Sequence, residues 1–138
     1  MTIPFWCVLI GGLLPYVWVT IAAGERRAQF GTADNKLPRL QEANLKGRGA
    51  RAMGAHNNAF EALPIFAAAV VIAHICGADP TWSMYLAVLW VIARVAHGFL
   101  YVSDIDVARS LSFVVGVLCV IGLFVLAARA PAVVQAVS

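Results

Sequence analysis

The sequence predicts an all-α fold: an integral membrane, four-helix up-and-down bundle. Three observations predict it. The chain of 138 residues is 62% hydrophobic and 12% charged, with a mean hydropathy of +0.83, whereas soluble domains are about half apolar and a quarter charged. Four apolar stretches approach the roughly 20 residues that a helix needs to cross a bilayer. The basic residues are gathered in one segment: residues 24–51 hold seven Lys/Arg against three Asp/Glu, and the rest of the chain holds three against four. Four such spans use more than half the chain, so residues 1–138 are expected to form a single domain. Intrinsic disorder and a disulfide-stapled secreted fold are both excluded by this composition. The pI of about 9.0 does not imply nucleic acid, because the positive charge sits in one loop and not on a face. Cys7, Cys76 and Cys119 lie within or at the ends of apolar runs and are read as small membrane-facing or packing residues.

The first span covers residues 3–23, which contain no charge. No Lys or Arg precedes the run, and Thr20-Ile21-Ala22 is a poor cleavage site, which argues against a signal peptide. Residues 24–51 form a polar loop broken by Gly31, Pro38, Gly47 and Gly49. Leu37, Leu40, Ala43 and Leu45 recur at nearly helical spacing, as either a short amphipathic helix at the membrane surface or a solvated loop would allow. A second helix is expected over about 55–76. Its charge-free part is too short to span without extending back through Glu61 and Asn58, so it starts with polar residues. Pro64 then frees the carbonyl of Phe60 and predicts a kink. Gly77-Ala78-Asp79-Pro80 is a tight turn, and further helices follow over about 81–102 and 107–129, with Asp104 or Asp106 placed to cap the last one. Basic loops stay in the cytoplasm, so the loop is expected there, with both termini and the 77–80 turn opposite. The start of helix 2, the end of helix 3 and the start of helix 4 then meet at one level.

An ionisable residue inside a span costs on the order of 2.5 to 3.5 kcal/mol and therefore needs a partner or a wet cavity. Arg94 lies about eight residues, or roughly 12 Å, from the loop end of its helix. At about 100° per residue, His97 falls roughly 60° and Tyr101 about 20° from it, giving that helix one polar stripe. Asn58 and Glu61 share a face of helix 2, with Arg51 two turns earlier, and Glu61 is the expected counter-charge for Arg94. Arg109 and Ser110 stand in the first turn of the last helix. Arginines suit capture of a carboxylate and Glu61 suits an ammonium, so the inventory fits a small zwitterion. Arg109 near a helix N-terminus can also favour a thiolate over a thiol. Each residue has a plain structural reading too: Glu61–Arg94 and Asn58 as interhelical glue, Arg109 as a snorkelling cation, Tyr101 as part of an aromatic belt, His97 as a core hydrogen bonder. His56, His97 and Glu61 lack the close pair spacing of a metal site, and no metal is expected.

The run Ala55-His56-Asn57-Asn58-Ala59-Phe60-Glu61-Ala62-Leu63-Pro64, followed by Ala93-Arg94-Val95-Ala96-His97 with Tyr101, and then Arg109-Ser110, resembles the MAPEG family, the membrane-associated proteins in eicosanoid and glutathione metabolism. The likeness covers all four helices in order. It implies a homotrimer that binds glutathione between subunits near the cytosolic side. By that resemblance Asn58 and Glu61 would hold the main chain or amino group of glutathione, and Arg94 would pair with Glu61 or a ligand carboxylate. Tyr101 and His97 would line the site, and Arg109 with Ser110 would stand near the sulfur as the catalytic pair. The chain departs from the eicosanoid-forming members in having Gly54 and Asn57 where they carry arginines, and Phe113 where a tyrosine is common; Arg51 is the nearest replacement for the first. The expectation is a glutathione transferase or peroxidase acting on a lipid-soluble second substrate, in a bacterial inner membrane. The alternatives are a non-catalytic lipid-binding or scaffold protein of the same fold and, with less support because matching repeat halves are missing, an ion or proton transporter.

Overall fold

The computed structural model of the chain describes residues 1–131; residues 132–138 of the expected domain lie outside the described residues. The elements are α1 (Ile3–Phe30), α2 (Pro38–Ala43), α3 (Gly47–Ile75), α4 (Pro80–Val102) and α5 (Asp106–Arg129). The four long helices, of 28, 29, 23 and 24 residues, are each long and apolar enough to cross a membrane.

Two helices overrun their apolar spans on the loop side. Hydropathy falls at Glu25, but Glu25, Arg26, Arg27, Ala28 and Gln29 are good helix formers, so α1 continues until Gly31 adopts a left-handed φ of 77° and its N–H closes on the Arg27 carbonyl. Likewise α3 begins at Gly47, well before residue 55, because Ala50, Arg51, Ala52 and Met53 favour helix though they are not uniformly apolar. The linker is therefore shorter than residues 24–51, and it contains the short helix α2. Arg26, 6% exposed, folds it back: its Nε donates to Gln41 Oε1 at 3.0 Å, Nη2 donates to the Asp34 carbonyl, and Nη1 stands 3.5 Å from Glu42 Oε1.

α3 and α4 form the central pair of the bundle. α1 packs against both on one side and α5 against both on the other, while α1 and α5 share no contact among the described residues. The chain alternates direction as expected. Thr2, His74, Pro80 and Leu123 line one cavity at the turn end, whereas Arg51, Val102, Asp104 and Arg109 engage one another's helices at the loop end. The buried side chains form two clusters. One holds Phe66, Val70, Trp90, Cys119 and Leu123, with Phe66 and Trp90 stacked at 3.7 Å. The other holds Leu14, Trp18, Ala22, Ala52 and Val102. Gly98 permits that second cluster, because any Cβ there would overlap the indole of Trp18. Cys7, Cys76 and Cys119 are free thiols.

Asp79 caps α4 by accepting the Trp82 N–H at 2.8 Å. Neither aspartate expected to cap α5 occupies the capping position, which falls to Ile105. Asp106 accepts from Val107 N–H at 2.8 Å, and Asp104 takes a φ of 65° in the turn and faces Arg51 instead.

Candidate functional site

The polar side chains of α3, α4 and α5 fall into three adjoining groups. The first surrounds a cavity of about 410 Å³ between the three helices, with Asn58, Glu61, Trp90, Arg94 and Phe113 in its walls. Arg94 projects from mid-α4 and is 4% exposed. Its Nη2 donates to Asn58 Oδ1 and, at 3.4 Å, to the Asn58 carbonyl. Its Nε has no hydrogen-bond partner, and its guanidinium carbon lies 5.9 Å from the Phe113 ring.

The expected Glu61–Arg94 ion pair is not formed. No carboxylate oxygen lies within 4.0 Å of the Arg94 guanidinium among the described residues, and Glu61 stays exposed at the cavity's rim. A neutral amide partner explains this: burying both members of an ion pair would desolvate two charges, whereas Asn58 satisfies one edge of the guanidinium and leaves Glu61 exposed. The consequence is a buried cation in the wall of a cavity, without a carboxylate partner and with one N–H unsatisfied. Such a group is costly until an anion reaches it.

The second group lies on the loop side of the first. His97, 4% exposed, directs Nδ1 at the Arg109 carbonyl, 3.1 Å away, which places the proton on Nδ1 and leaves Nε2 as an acceptor without a partner. Ser112 Oγ donates to that same carbonyl at 2.7 Å. The Arg109 guanidinium stands 4.5 Å above the Tyr101 ring, and Tyr101 meets His97 edge-on at 5.8 Å. Phe113 joins the two groups, lying 6.1 Å from the His97 ring as well as beside Arg94.

Gly54 explains why Tyr101 stands there. A Cβ on residue 54 would sit 2.6 Å from Tyr101 Oη, so the phenol occupies the space that any side chain at that position would need. The third group contains Arg51, which does not reach the cavity. Its Nε donates to the Val102 carbonyl at 3.3 Å and its Nη1 lies 3.3 Å from Asp104 Oδ2, so it straps α3 to the end of α4. Arg51 was the expected stand-in for an arginine at position 54; it points elsewhere because Tyr101 fills the approach and the freed carbonyl at the C-terminus of α4 attracts a cation. Ser110 is also directed away. It is exposed, and its hydroxyl donates to the Asp106 carbonyl at 3.0 Å within its own helix.

Asn58, Glu61 and Arg94 thus line one cavity, with His97, Tyr101 and Arg109 packed as its neighbours, while Arg51 and Ser110 serve helix ends. Sequence reasoning did not assign Trp90, Ser112 or Asp104 a place around the site. Trp90 lies one turn before Arg94 and shares its face, a signal available from spacing alone; the other two carry none. Among the described residues no three His, Cys, Asp or Glu side chains gather as a metal centre would require.

The family model described as the MAPEG family matches residues 3–129 of the chain. No curated protein and no solved structure matches it.

Proposed function

Because the chain belongs to the MAPEG family, and because its buried guanidinium faces a cavity without a carboxylate to pair with, we propose that this multi-pass membrane protein binds glutathione or a related thiol at Arg94 and uses it against a lipid-soluble electrophile. The observation that carries the reading is the unmatched Arg94: a buried cation in the wall of a cavity of about 410 Å³, bonded to the neutral Asn58 and to no carboxylate, with an exposed Glu61 in the same wall. A ligand carboxylate on Arg94 and an ammonium on Glu61 would satisfy both ends at once.

The thiol then points toward the loop side, where Arg109 stands over Tyr101 at the start of α5. A guanidinium and a helix N-terminus both stabilise sulfur as its anion, lowering the barrier for nucleophilic attack. In a transfer reaction the thiolate sulfur bonds to an electrophilic carbon, the leaving group departs with its electron pair, and the thiol proton passes to water. In a peroxidase reaction two thiols reduce a hydroperoxide to an alcohol and water and end as a disulfide. The bilayer concentrates the apolar partner, which reaches the cavity through its hydrocarbon walls. By the family's pattern the protein assembles as a homotrimer, with the loop in the cytoplasm and, in this reading, in a bacterial inner membrane.

Calorimetric titration of the detergent-purified protein with glutathione tests this, repeated on Arg109→Ala and Glu61→Gln. Saturable heat at millimolar thiol that weakens in Glu61→Gln is expected; no heat removes the proposal, and unchanged binding in Glu61→Gln places the ligand elsewhere. Conjugation of chlorodinitrobenzene and reduction of a lipid hydroperoxide then separate transferase from peroxidase. One observation favours a second reading. Tyr101 fills the place of the arginine at position 54 and Arg51 is engaged with Asp104, so carboxylate capture rests on Arg94 alone. Binding without turnover would identify a lipid-binding or scaffold member.

A further inference from the structure

The segment between α1 and α3 lies outside the Arg94 cavity, and the fold sorts its charges. Residues 24–51 hold seven Lys/Arg and three Asp/Glu. The three acids are half-buried and engaged. Glu42 faces Arg26 at 3.5 Å, Asp34 Oδ1 accepts the N–H groups of Lys36 and Leu37 at 2.7 and 3.3 Å, and Glu25 accepts from Gln29 at 3.4 Å. Of the cations, Arg26 is buried and Arg51 is strapped to the end of α4. The other five, Arg27, Lys36, Arg39, Lys46 and Arg48, are all exposed. The exposed acids of the loop end, Asp104 and Asp106, belong to the α4–α5 side, which α2 does not touch among the described residues.

Apolar side chains stand exposed among these cations. Leu37 and Leu40 are 60% and 63% exposed, and Phe30 is 39% exposed. Together with Lys46 they line one open depression of about 480 Å³, in which Asp34 is the one acidic residue. Three large apolar groups converging on one place are costly to hydrate, and a bilayer surface would cover them. The depth of the segment fits such a surface. Arg26 stands three residues, or roughly 4.5 Å, past the end of the apolar run 3–23. Side chains of a helix lean toward its N-terminus, which for α1 means back toward the hydrocarbon. The bonds from Arg26 to Gln41, Glu42 and the Asp34 carbonyl therefore hold α2 within the headgroup layer, which extends about 5 to 7 Å beyond the hydrocarbon on each side.

We propose that the α1–α3 linker is a docking surface for anionic phospholipid of the leaflet on its own side. Leu37, Leu40 and Phe30 meet the glycerol and upper acyl segments of the lipid, while Lys36, Arg39 and Lys46 pair with its phosphate. Clusters of four to eight Lys/Arg beside a membrane span select anionic headgroups by charge, and the exposed leucines add a contact that a free anion cannot make. The surface is independent of the Arg94 cavity and of any thiol chemistry there.

The test uses the whole protein in maltoside micelles, titrated with dioleoyl phosphatidylglycerol or dioleoyl phosphatidylcholine, and native mass spectrometry to count retained lipids and protein copies. Phosphatidylglycerol should be retained in preference to phosphatidylcholine. Each exposed cation contributes about a five-fold preference, so Lys36→Gln should lower it about five-fold and Lys36→Gln/Arg39→Gln/Lys46→Gln on the order of 100-fold. Leu37→Ser/Leu40→Ser should weaken retention of both lipids, because it removes the apolar contact and leaves the charge. Inorganic phosphate and soluble glycerophosphoglycerol should not compete. Glutathione titration should be unchanged in all these variants, so failure here and failure of the thiol reading are separate results. Equal retention of the two lipids would overturn the proposal, as would a preference that survives the triple substitution or yields to free phosphate. Loss of oligomers in Leu37→Ser/Leu40→Ser with lipid retention intact would also overturn it, since a second copy of the chain would then cover this face.

Discussion

Arg94→Met separates a ligand-binding guanidinium from one that glues helices. Two opposing effects on stability follow from its surroundings. An ionised residue in mid-span costs about 2.5 to 3.5 kcal/mol, which methionine removes. The same change strips Asn58 Oδ1 of its donor, and a buried acceptor left unpaired costs about 1 to 3 kcal/mol. The two nearly cancel, so melting of the variant in detergent should stay close to that of the parent protein. Binding has no such compensation. A charge-assisted hydrogen bond to a ligand carboxylate contributes about 1.5 to 3 kcal/mol, so glutathione should bind roughly 10 to 150 times more weakly. Arg94→Lys should fall between the two, keeping the charge but losing the planar fork. Calorimetry and thermal melting on the same samples check this. A large drop in melting temperature with unchanged affinity would refute the reasoning, since it would make the guanidinium a structural tie whose worth lies in Asn58.

Three further outcomes follow from the packing. Gly54→Ala should leave the bundle folded but push Tyr101 aside, since the new Cβ would stand 2.6 Å from its hydroxyl. Arg109 then loses its aromatic face, worth about 0.5 to 2 kcal/mol, and conjugation of chlorodinitrobenzene should slow by roughly 2- to 30-fold. Gly98→Ala should destabilise by about 1 to 3 kcal/mol or more, read as a lower melting temperature, because Trp18 is 1% exposed and has no space into which to retreat. Asp104→Asn should change melting by less than about 1 kcal/mol and leave glutathione binding intact, because Asp104 is 72% exposed and its ion pair with Arg51 is open to solvent. A loss of binding in that variant would mean that Arg51 reaches the ligand after all.

The site was readable from the chain only in part. Asn58, Glu61, Arg94, His97 and Tyr101 stand out because polar residues inside apolar runs are expensive and helical spacing gives their faces. Arg51 and Ser110 are equally conspicuous in the sequence, yet their hydrogen bonds go to the carbonyls of Val102 and Asp106 at helix ends. Spacing along one helix cannot say which neighbouring carbonyl a long cation will find. The overrun of α1 to Phe30 was hidden for a related reason: hydropathy reports the membrane-crossing part of a helix, and the helix itself stops only where a residue such as Gly31 turns left-handed.

Composition and hydropathy settle the number of long apolar helices, their order and the level at which their polar residues gather, since each of these follows from the cost of placing charge or unpaired backbone in hydrocarbon. Those costs depend on a residue's own chemistry and need no knowledge of its neighbours. The choice of Asn58 over Glu61 for Arg94 and the phenol of Tyr101 above Gly54 belong to the packed bundle alone. They are decided by distances between side chains on different helices, which vary with how the helices rotate and cross, and a linear pattern holds no record of that rotation.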